Sequence, residues 1–133
     1  MSDILVKDYM DHQPATIHAD TPITTAVETL LKKSVIGVPV IDDHHKVLGF
    51  LSEKDCIKSL MISSYHCETT SSVEDIMRQE VLTVKPEDSI IDLARMMDDN
   101  KPKIYPVVEE GVLVGVITRA HVLSALIKEI ATC

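Results

Sequence analysis

The residues best placed to do chemistry lie where a predicted strand meets a predicted helix, and they occur twice in the chain. The two stretches are Ser52-Glu53-Lys54-Asp55 and Thr118-Arg119-Ala120-His121. In the first stretch, a hydroxyl followed one helical turn later by a carboxylate is typical of a capping box, in which both side chains satisfy free backbone N–H groups. The same helix end presents unpaired N–H groups to an anion, so phosphate binding uses the same geometry. The residues alone leave both interpretations open.

Other combinations of reactive side chains favour neither an enzyme nor a metal site. The sequence has no nucleophile beside a base, no glycine-rich phosphate loop and no carboxylate pair in a convincing context. The six histidines lack ligand spacing, and His44-His45 falls in an acidic turn. The three cysteines, Cys56, Cys67 and Cys133, are odd in number and show no paired spacing. We expect no catalysis, no metal and no required cofactor, and we expect Cys56 to be a small buried apolar residue on a helix.

Composition indicates an ordinary globular chain with an acidic surface. Of the 133 residues, 45% are hydrophobic and 26% are charged, and the formal net charge is -8. That charge opposes a polyanion, so nucleic acid is disfavoured as a partner, although a few local donors could hold a small anion. The apolar stretches are shorter than a membrane span, and the sequence shows no signal-peptide pattern. We expect a cytoplasmic protein with no membrane partner.

The chain contains one pattern twice, which indicates its architecture before any single motif does. Val6-Lys7-Asp8-Tyr9-Met10 returns as Val73-Glu74-Asp75-Ile76-Met77, and the correspondence continues through Pro39 and Pro106. Each copy has roughly 55 residues, which is marginal for an independent core, so we expect the copies to share a buried interface and to bind a ligand there. The predicted boundaries are residues 1–61 for the first copy, 62–72 for a Ser- and Thr-rich linker, and 73–133 for the second copy.

Hydrophobic periodicity predicts the same elements in each copy, in the order strand, helix, strand, strand, helix. A short opening helix precedes them at residues 5–10 and 73–77. The elements of the first copy are 15–17, 23–31, 38–41, 47–51 and 53–61, and those of the second are 82–84, 90–97, 104–108, 112–117 and 119–128. Because proline lacks a ladder donor, Pro39 and Pro106 should mark an edge or a break in strand pairing. The predicted fold class is α/β (α+β).

Taken together, these features resemble a known family. The V-x-D-x-M opening, the h-P-V strand and the G-h-h-S/T-x-x-D ending, in which h is an apolar residue, recur in that order between about Val6 and Ile127. The arrangement is similar to a tandem pair of cystathionine β-synthase (CBS) domains, called a Bateman module. The resemblance implies two repeats packed with pseudo-twofold symmetry. It also implies two clefts for an adenosine compound such as AMP, ADP or ATP, or in some members S-adenosylmethionine.

The resemblance assigns roles to residues of a first ligand site. Asp55 is the expected acceptor for both ribose hydroxyls, which suits a carboxylate because each oxygen can take one donor. Ser52 is expected to contact phosphate or ribose, and Lys54 could neutralise phosphate or simply be solvated. The residues expected to hold the base are Gly37, Val38 and Pro39 of one copy with Val81, Leu82 and Thr83 of the opposite copy. For Val38 and Leu82 the sequence does not separate this role from core packing.

The second cleft departs from the family pattern because His121 stands where the ribose-binding aspartate is expected. A neutral imidazole accepts one hydrogen bond and does not reproduce a bidentate carboxylate. We expect this cleft to be empty or to hold a weaker ligand led by phosphate. Its other candidate residues are Ala15, Thr16, Tyr105, Pro106, Thr118 and Arg119.

Two functions follow from this resemblance. The leading hypothesis is a stand-alone regulatory module that binds adenine nucleotides and transmits occupancy to an unidentified effector protein. The alternative is a structural dimerisation or interaction module with vestigial clefts. A homodimer is expected in either case, because the last helix of each copy has a broad apolar face. These faces are Cys56, Ile57, Leu60 and Met61 in the first copy and Val122, Leu123, Leu126, Ile127 and Ile130 in the second.

Overall fold

A computed structural model describes residues 4–65, 71–97 and 100–132, and the chain divides into two compact units. The first unit is Ala15–Val81, and the second unit combines Met1–Pro14 with Leu82–Cys133. The compact units therefore do not coincide with the sequence copies. Residues 73–81, which open the second copy, lie in the first unit, and residues 1–14, which open the first copy, lie in the second unit.

The first unit is a three-stranded sheet with helices. Its elements are β1 (Ile17–His18), α1 (Ile23–Lys33), β2 (Gly37–Ile41), β3 (Val47–Ser52), α2 (Glu53–Ser64) and α3 (Val73–Ile76). The strand order is β1-β2-β3, with β1 parallel and β3 antiparallel to β2. Helix α1 buries Ile23, Ala26 and Leu30, the three-and-four spacing of one apolar face. These side chains join β2, β3 and α2 in one core.

Helix α3 completes the core of the first unit. Val73 is 0% exposed and belongs to the same cluster as Val38 and Leu51. The Val73 and Glu74 backbone nitrogens donate to the carbonyls of Thr21 and Ala19, each at 2.9 Å. Buried apolar surface and satisfied backbone groups therefore fix this short helix, which is too short to be stable alone.

The second unit contains a β-hairpin and two longer helices. Its elements are a 3-10 turn (Val6–Asp8), α4 (Ile90–Met96), β4 (Ile104–Glu109), β5 (Val112–Thr118) and α5 (Arg119–Ala131). Strands β4 and β5 are antiparallel, with Pro106 opposite Val116. The core gathers Val6, Ile90, Tyr105, Ile117 and Ala125. The repeated order of elements confirms the predicted α+β fold.

The prolines explain why the first strand of each copy is shorter than predicted. The predicted strand at 82–84 is wrong, because only Val84 forms a bridge, and it pairs with Val107. The Val84 nitrogen donates to Pro106 O at 3.0 Å and the Val108 nitrogen donates to Val84 O at 2.8 Å. The next hydrogen bond toward residue 82 would need an N–H that Pro106 lacks. Pro39 has the same effect on β1, which pairs from Ile17 rather than from Ala15.

The last helices extend beyond their predicted ends. Helix α2 continues to Ser64, into the predicted linker, and α5 continues to Ala131. Residues 66–70 of that linker, including Cys67, lie outside the described residues, as does Cys133. Among the helices that the structure describes, none has the length and apolar character needed to cross a membrane.

Candidate functional site

Ser52 and Asp55 form a compact pair at the amino end of α2. The Ser52 hydroxyl accepts a hydrogen bond from the Asp55 nitrogen at 3.2 Å and donates to Asp55 Oδ2 at 2.8 Å. Ser52 is therefore the N-cap of α2, and the capping interpretation holds for its hydroxyl. Ser52 also fixes the rotamer of the carboxylate that follows it.

The Asp55 carboxylate, however, does not complete a capping box. In α3, Asp75 Oδ2 accepts a hydrogen bond from the backbone nitrogen of Ser72 at 2.9 Å, and in α5 the His121 ring does the same for Thr118. No such bond links Asp55 to the backbone nitrogen of Ser52 in the described structure. The Asp55 carboxylate is thus not used to close its own helix end.

Arg78 is the second charged group at this site. Its Nε lies 3.5 Å from Asp55 Oδ2, the oxygen that also meets Ser52. The Asp55 side chain is 20% exposed and the Arg78 side chain is 66% exposed. Asp55 Oδ1 takes no hydrogen bond from the residues that the structure describes. One carboxylate oxygen therefore remains available to an incoming donor.

A tight backbone contact brings Arg78 to this position. The Arg78 nitrogen donates to Phe50 O and the Phe50 nitrogen donates to Arg78 O, both at 2.9 Å. Gly49 permits the approach, since a Cβ at residue 49 would lie 2.6 Å from Arg78 O. The segment after α3 is thereby held against β3.

The residues predicted to hold the base have different environments. Gly37, Val38 and Pro39 lie in β2 and are buried, and Val38 is 1% exposed within the core cluster. A Cβ on Gly37 would lie 2.5 Å from the Phe50 ring, so the half-buried ring packs on this glycine. The Val38 side chain is committed to the core. The side chain of Val38 is therefore not exposed to a ligand.

The remaining predicted residues of the first site are more accessible. Lys54 is exposed, and no ion pair involving it occurs in the described part of the chain. Val81 is half-buried and ends the first unit, whereas Leu82 and Thr83 are exposed and belong to the second unit. Within the first unit, the structure brings together Ser52, Asp55 and Arg78.

Asp55 also borders an open groove. The groove has a volume of about 380 Å³, and its other walls come from α2, Ser71 and Ile76. The residues of α2 that line it, besides Asp55, are Lys58, Ser59, Ile62 and Ser63. Solvent can therefore approach the Asp55 carboxylate from the side of the helix.

In the second unit, His121 is engaged in the cap of α5. Its Nδ1 accepts a hydrogen bond from the Thr118 nitrogen at 3.0 Å, and the His121 nitrogen donates to Thr118 Oγ1 at 3.3 Å. An Nδ1 that accepts this bond carries no proton, so the neutral ring presents an Nε2–H donor. The expected ribose acceptor is replaced by a donor.

The other residues of the predicted second cleft are divided between the units. Tyr105 and Pro106 are buried in β4, and Arg119 is exposed, with its nitrogen donating to Lys103 O at 3.1 Å. Ala15 and Thr16 are half-buried and belong to the first unit. In the second unit the structure brings together Thr118 and His121.

Cys56, the residue after Asp55, is part of the core. It is 3% exposed and packs in the cluster of the first unit, which confirms the prediction from sequence. Burial raises the pKa of the Cys56 thiol, and the Asp55 carboxylate adds to the rise. The thiol is thus a packing group and not a nucleophile.

Comparison with known proteins identifies the family. The sequence model of the CBS domain matches residues 6–62 and again residues 73–128. The chain belongs to the CBS domain family. The predicted resemblance to a tandem CBS pair is thereby confirmed. CBS pairs are generally regulatory modules rather than catalytic ones.

Related CBS proteins include one curated protein and two crystal structures. The uncharacterized protein MJ1225 of Methanocaldococcus jannaschii is 30% identical over 121 residues, which cover 91% of this chain but only 42% of that protein. The structure of CBSX2, a protein from Arabidopsis thaliana, in complex with AMP is 28% identical, with a TM-score of 0.82 and coverage of 94% and 97% of the two chains. The CBS pair of MJ0100, in complex with 5′-methylthioadenosine and S-adenosyl-L-methionine, is 26% identical, with a TM-score of 0.80 and coverage of 96% and 98%.

Reasoning from the sequence missed Arg78. A signal for it was present in the comparison of the two copies, because Arg78 corresponds to Asp11 while Asp55 corresponds to His121. Both positions are acidic in the first copy, as Asp11 and Asp55, and basic in the second, as Arg78 and His121. The sequence also gives no sign of the role of Phe50, the sole phenylalanine of the chain. Its ring packs on Gly37 and its backbone is hydrogen-bonded to Arg78.

Proposed function

We propose that this CBS pair is a regulatory module that binds an adenine nucleotide at Ser52 and Asp55 and signals occupancy to a partner protein. The single observation that carries the proposal is the state of the Asp55 carboxylate. It is ordered by Ser52 and partly exposed, and it is not used to close the capping box. A carboxylate held in this way can accept hydrogen bonds from two neighbouring ribose hydroxyls.

The solved relatives support an adenosine-containing ligand. CBSX2 binds AMP, and the CBS pair of MJ0100 binds 5′-methylthioadenosine and S-adenosyl-L-methionine. Both chains align with almost the whole of this one. The base-binding roles of Gly37, Val38, Pro39, Val81, Leu82 and Thr83, and the phosphate role of Lys54, belong to this proposal and remain predictions.

Signalling requires more than affinity. A ligand shifts a conformational equilibrium only by its difference in affinity between the two states. We therefore expect the effector protein to bind the nucleotide-bound form and the free form with different affinities.

Calorimetric titration with AMP, ADP and ATP tests the binding step, using wild type, Asp55→Ala and Asp92→Ala. Asp92 is a matched control, because its nitrogen donates to the N-cap Ser89 at 3.3 Å, as the Asp55 nitrogen does to Ser52. Hydrogen bonds to a charged group contribute roughly 1.5–3 kcal/mol, so Asp55→Ala should weaken binding by about ten- to a hundredfold. Asp92→Ala should bind like wild type. Equal affinities for wild type and Asp55→Ala would remove Asp55 from the site.

Exposed apolar side chains on two helices favour a second function, self-association. Ile57, Met61 and Ile62 of α2 and Leu123, Ile127 and Ile130 of α5 are each more than half exposed. Exposed apolar faces of this kind are typical of interfaces. Light scattering should give the mass of a homodimer for wild type and a lower mass for Ile57→Asp, whereas Lys58→Asp should not change the mass. A monomeric wild type would contradict the interaction module and leave the nucleotide site untouched.

A further inference from the structure

We propose that Arg78 makes the site at Asp55 selective for nucleosides that carry a phosphate on the ribose 5′ carbon, over uncharged and sulfonium nucleosides. This inference rests on the proposed function, because it names the ligand class of the same site.

A nucleoside phosphate brings a second negative charge to the site. The Asp55 carboxylate would bind the ribose, and in a nucleoside phosphate the 5′ phosphate is attached to the same sugar. The Asp55 carboxylate and the ligand phosphate would both be negatively charged and would repel each other, and a cation beside them offsets this repulsion. Arg78 is the cation that the described structure places in contact with Asp55.

Arg78 has donors that can bind an anion. Only Nε contacts Asp55, and the terminal Nη1 and Nη2 groups have no partner among the described residues. The planar guanidinium fork matches phosphate oxygens and can bind two of them at once. The side chain is 66% exposed, so its donors are open to an anion from solvent.

The ion pair between Arg78 and Asp55 is weak enough for a ligand to replace it. An ion pair of 3.5 Å between partly exposed groups contributes little to stability, so a ligand can displace it at small cost. The Arg78 backbone stays in place during such an exchange, because two hydrogen bonds of 2.9 Å join it to Phe50. The guanidinium can then turn from Asp55 to the phosphate while the ribose hydroxyls take its place on the carboxylate.

The second unit provides an internal comparison. Asp11 occupies the position equivalent to Arg78 and makes the same bridge, with hydrogen bonds to Val116 of 2.8 and 3.0 Å. Its Oδ1 accepts a bond from the Gln13 nitrogen at 2.9 Å. His121 occupies the position in the second copy that corresponds to Asp55. The arginine is therefore present in the unit that has the ribose-binding acid, and the unit that lacks that acid has Asp11 at the equivalent position.

The test compares AMP with 5′-methylthioadenosine, which has the same base and the same 2′ and 3′ ribose hydroxyls but a methylthio group in place of the 5′ phosphate. Both are titrated into wild type, Arg78→Met and Arg78→Lys, with Arg95→Met as the matched control. Arg95 is an exposed arginine whose Nη1 lies 3.6 Å from Asp92, so its loss removes a similar ion pair elsewhere. Circular dichroism melting of each variant confirms that it is folded.

Wild type should bind AMP at least about tenfold more tightly than 5′-methylthioadenosine, since charge-assisted bonds to phosphate are lost in the latter. Arg78→Met should weaken AMP binding by about tenfold and leave 5′-methylthioadenosine binding unchanged or tighter, so that the preference for AMP falls by at least about tenfold. Arg78→Lys should retain part of the preference, and Arg95→Met all of it.

Three results would overturn the inference. Equal affinity of wild type for the two ligands would do so while leaving the proposed function intact. If Arg78→Met kept the wild-type ratio of the affinities for AMP and 5′-methylthioadenosine, with or without an equal loss of both, Arg78 would not bind phosphate. If wild type bound neither ligand, the proposed function itself would fail, and this inference with it.

Discussion

The Nδ1 atom of His121 lies 3.0 Å from the backbone nitrogen of Thr118 and accepts its hydrogen bond. In the first unit, the equivalent acid Asp55 makes no such bond and meets Arg78 instead. Corresponding positions in the two copies therefore have different tasks. One side chain closes a helix end, and the other is left available to a ligand.

Replacing His121 by aspartate should introduce a ribose acceptor into the second copy. We expect His121→Asp to raise the affinity or the stoichiometry for adenosine compounds in a calorimetric titration with AMP. His121→Asn is the matched control, because an amide can still accept the Thr118 bond but has no carboxylate. A titration curve identical to wild type would contradict the assignment of the second cleft.

Helix α3 should contribute strongly to the stability of the first unit. Val73 is 0% exposed, so Val73→Ala should lower the free energy of unfolding by about 2 kcal/mol through lost burial and a cavity. Urea denaturation followed by circular dichroism measures this change. The neighbouring Glu74 is exposed, and Glu74→Ala should unfold at nearly the wild-type midpoint. Equal midpoints for the two variants would show that α3 is not part of this core.

The Cys56 thiol should be unreactive in the folded protein. Burial is the main cause of its raised pKa, with Asp55 a further cause, so the reactive thiolate is scarce at neutral pH and hard to reach. In a Cys67→Ser, Cys133→Ser variant, Cys56 is the single thiol, and its labelling by a chromogenic disulfide reagent can be timed. Labelling should be slow in buffer and fast in denaturant. Rapid labelling in buffer would mean that α2 opens readily.

Asp42 should make the stability of the β2–β3 turn depend on pH. Its Oδ1 accepts hydrogen bonds from the nitrogens of Lys46 at 2.9 Å and His44 at 2.8 Å, and the bond from Lys46 is the main cause of its lowered pKa. A lowered pKa stabilises the fold above the ordinary value of 3.8, and this contribution is lost as the pH falls through the folded value.

Asp42→Asn should therefore melt below wild type at neutral pH, and the difference should shrink once the pH is below about 3.8. Thermal melts at several pH values test this. Asp20→Asn changes an exposed acid for which the described structure shows no side-chain hydrogen bond, so its melts should follow wild type throughout. A constant gap between Asp42→Asn and wild type at every pH would contradict the prediction.

Local patterns predicted most of the fold, because repeated apolar spacing marks the faces that must be buried. Ile23, Ala26 and Leu30 are buried on α1 as their spacing indicates. The errors lie where a distant residue decides the outcome. Pro106 ends the pairing of Val84, and it does so from a position far along the chain. The core position of Val73 likewise depends on a segment of one copy folding with the other copy.

The site was predictable only in part. Ser52 and Asp55 follow a recognisable motif, and the helix start positions both. Arg78 reaches Asp55 through a backbone bridge to Phe50, and no spacing in the sequence indicates that bridge. The bridge requires that residue 49 has no side chain. This requirement can be recognised only when the position of the Arg78 backbone is known.

The most direct test is a crystal structure of the protein grown with AMP, inspected at the amino end of α2. The expected result is a ribose whose two hydroxyls lie within hydrogen-bond distance of the Asp55 carboxylate, with Ser52 in the same contact region. AMP bound elsewhere, with the Asp55 carboxylate still facing Arg78 and water, would contradict the assignment of Asp55 as the ribose acceptor.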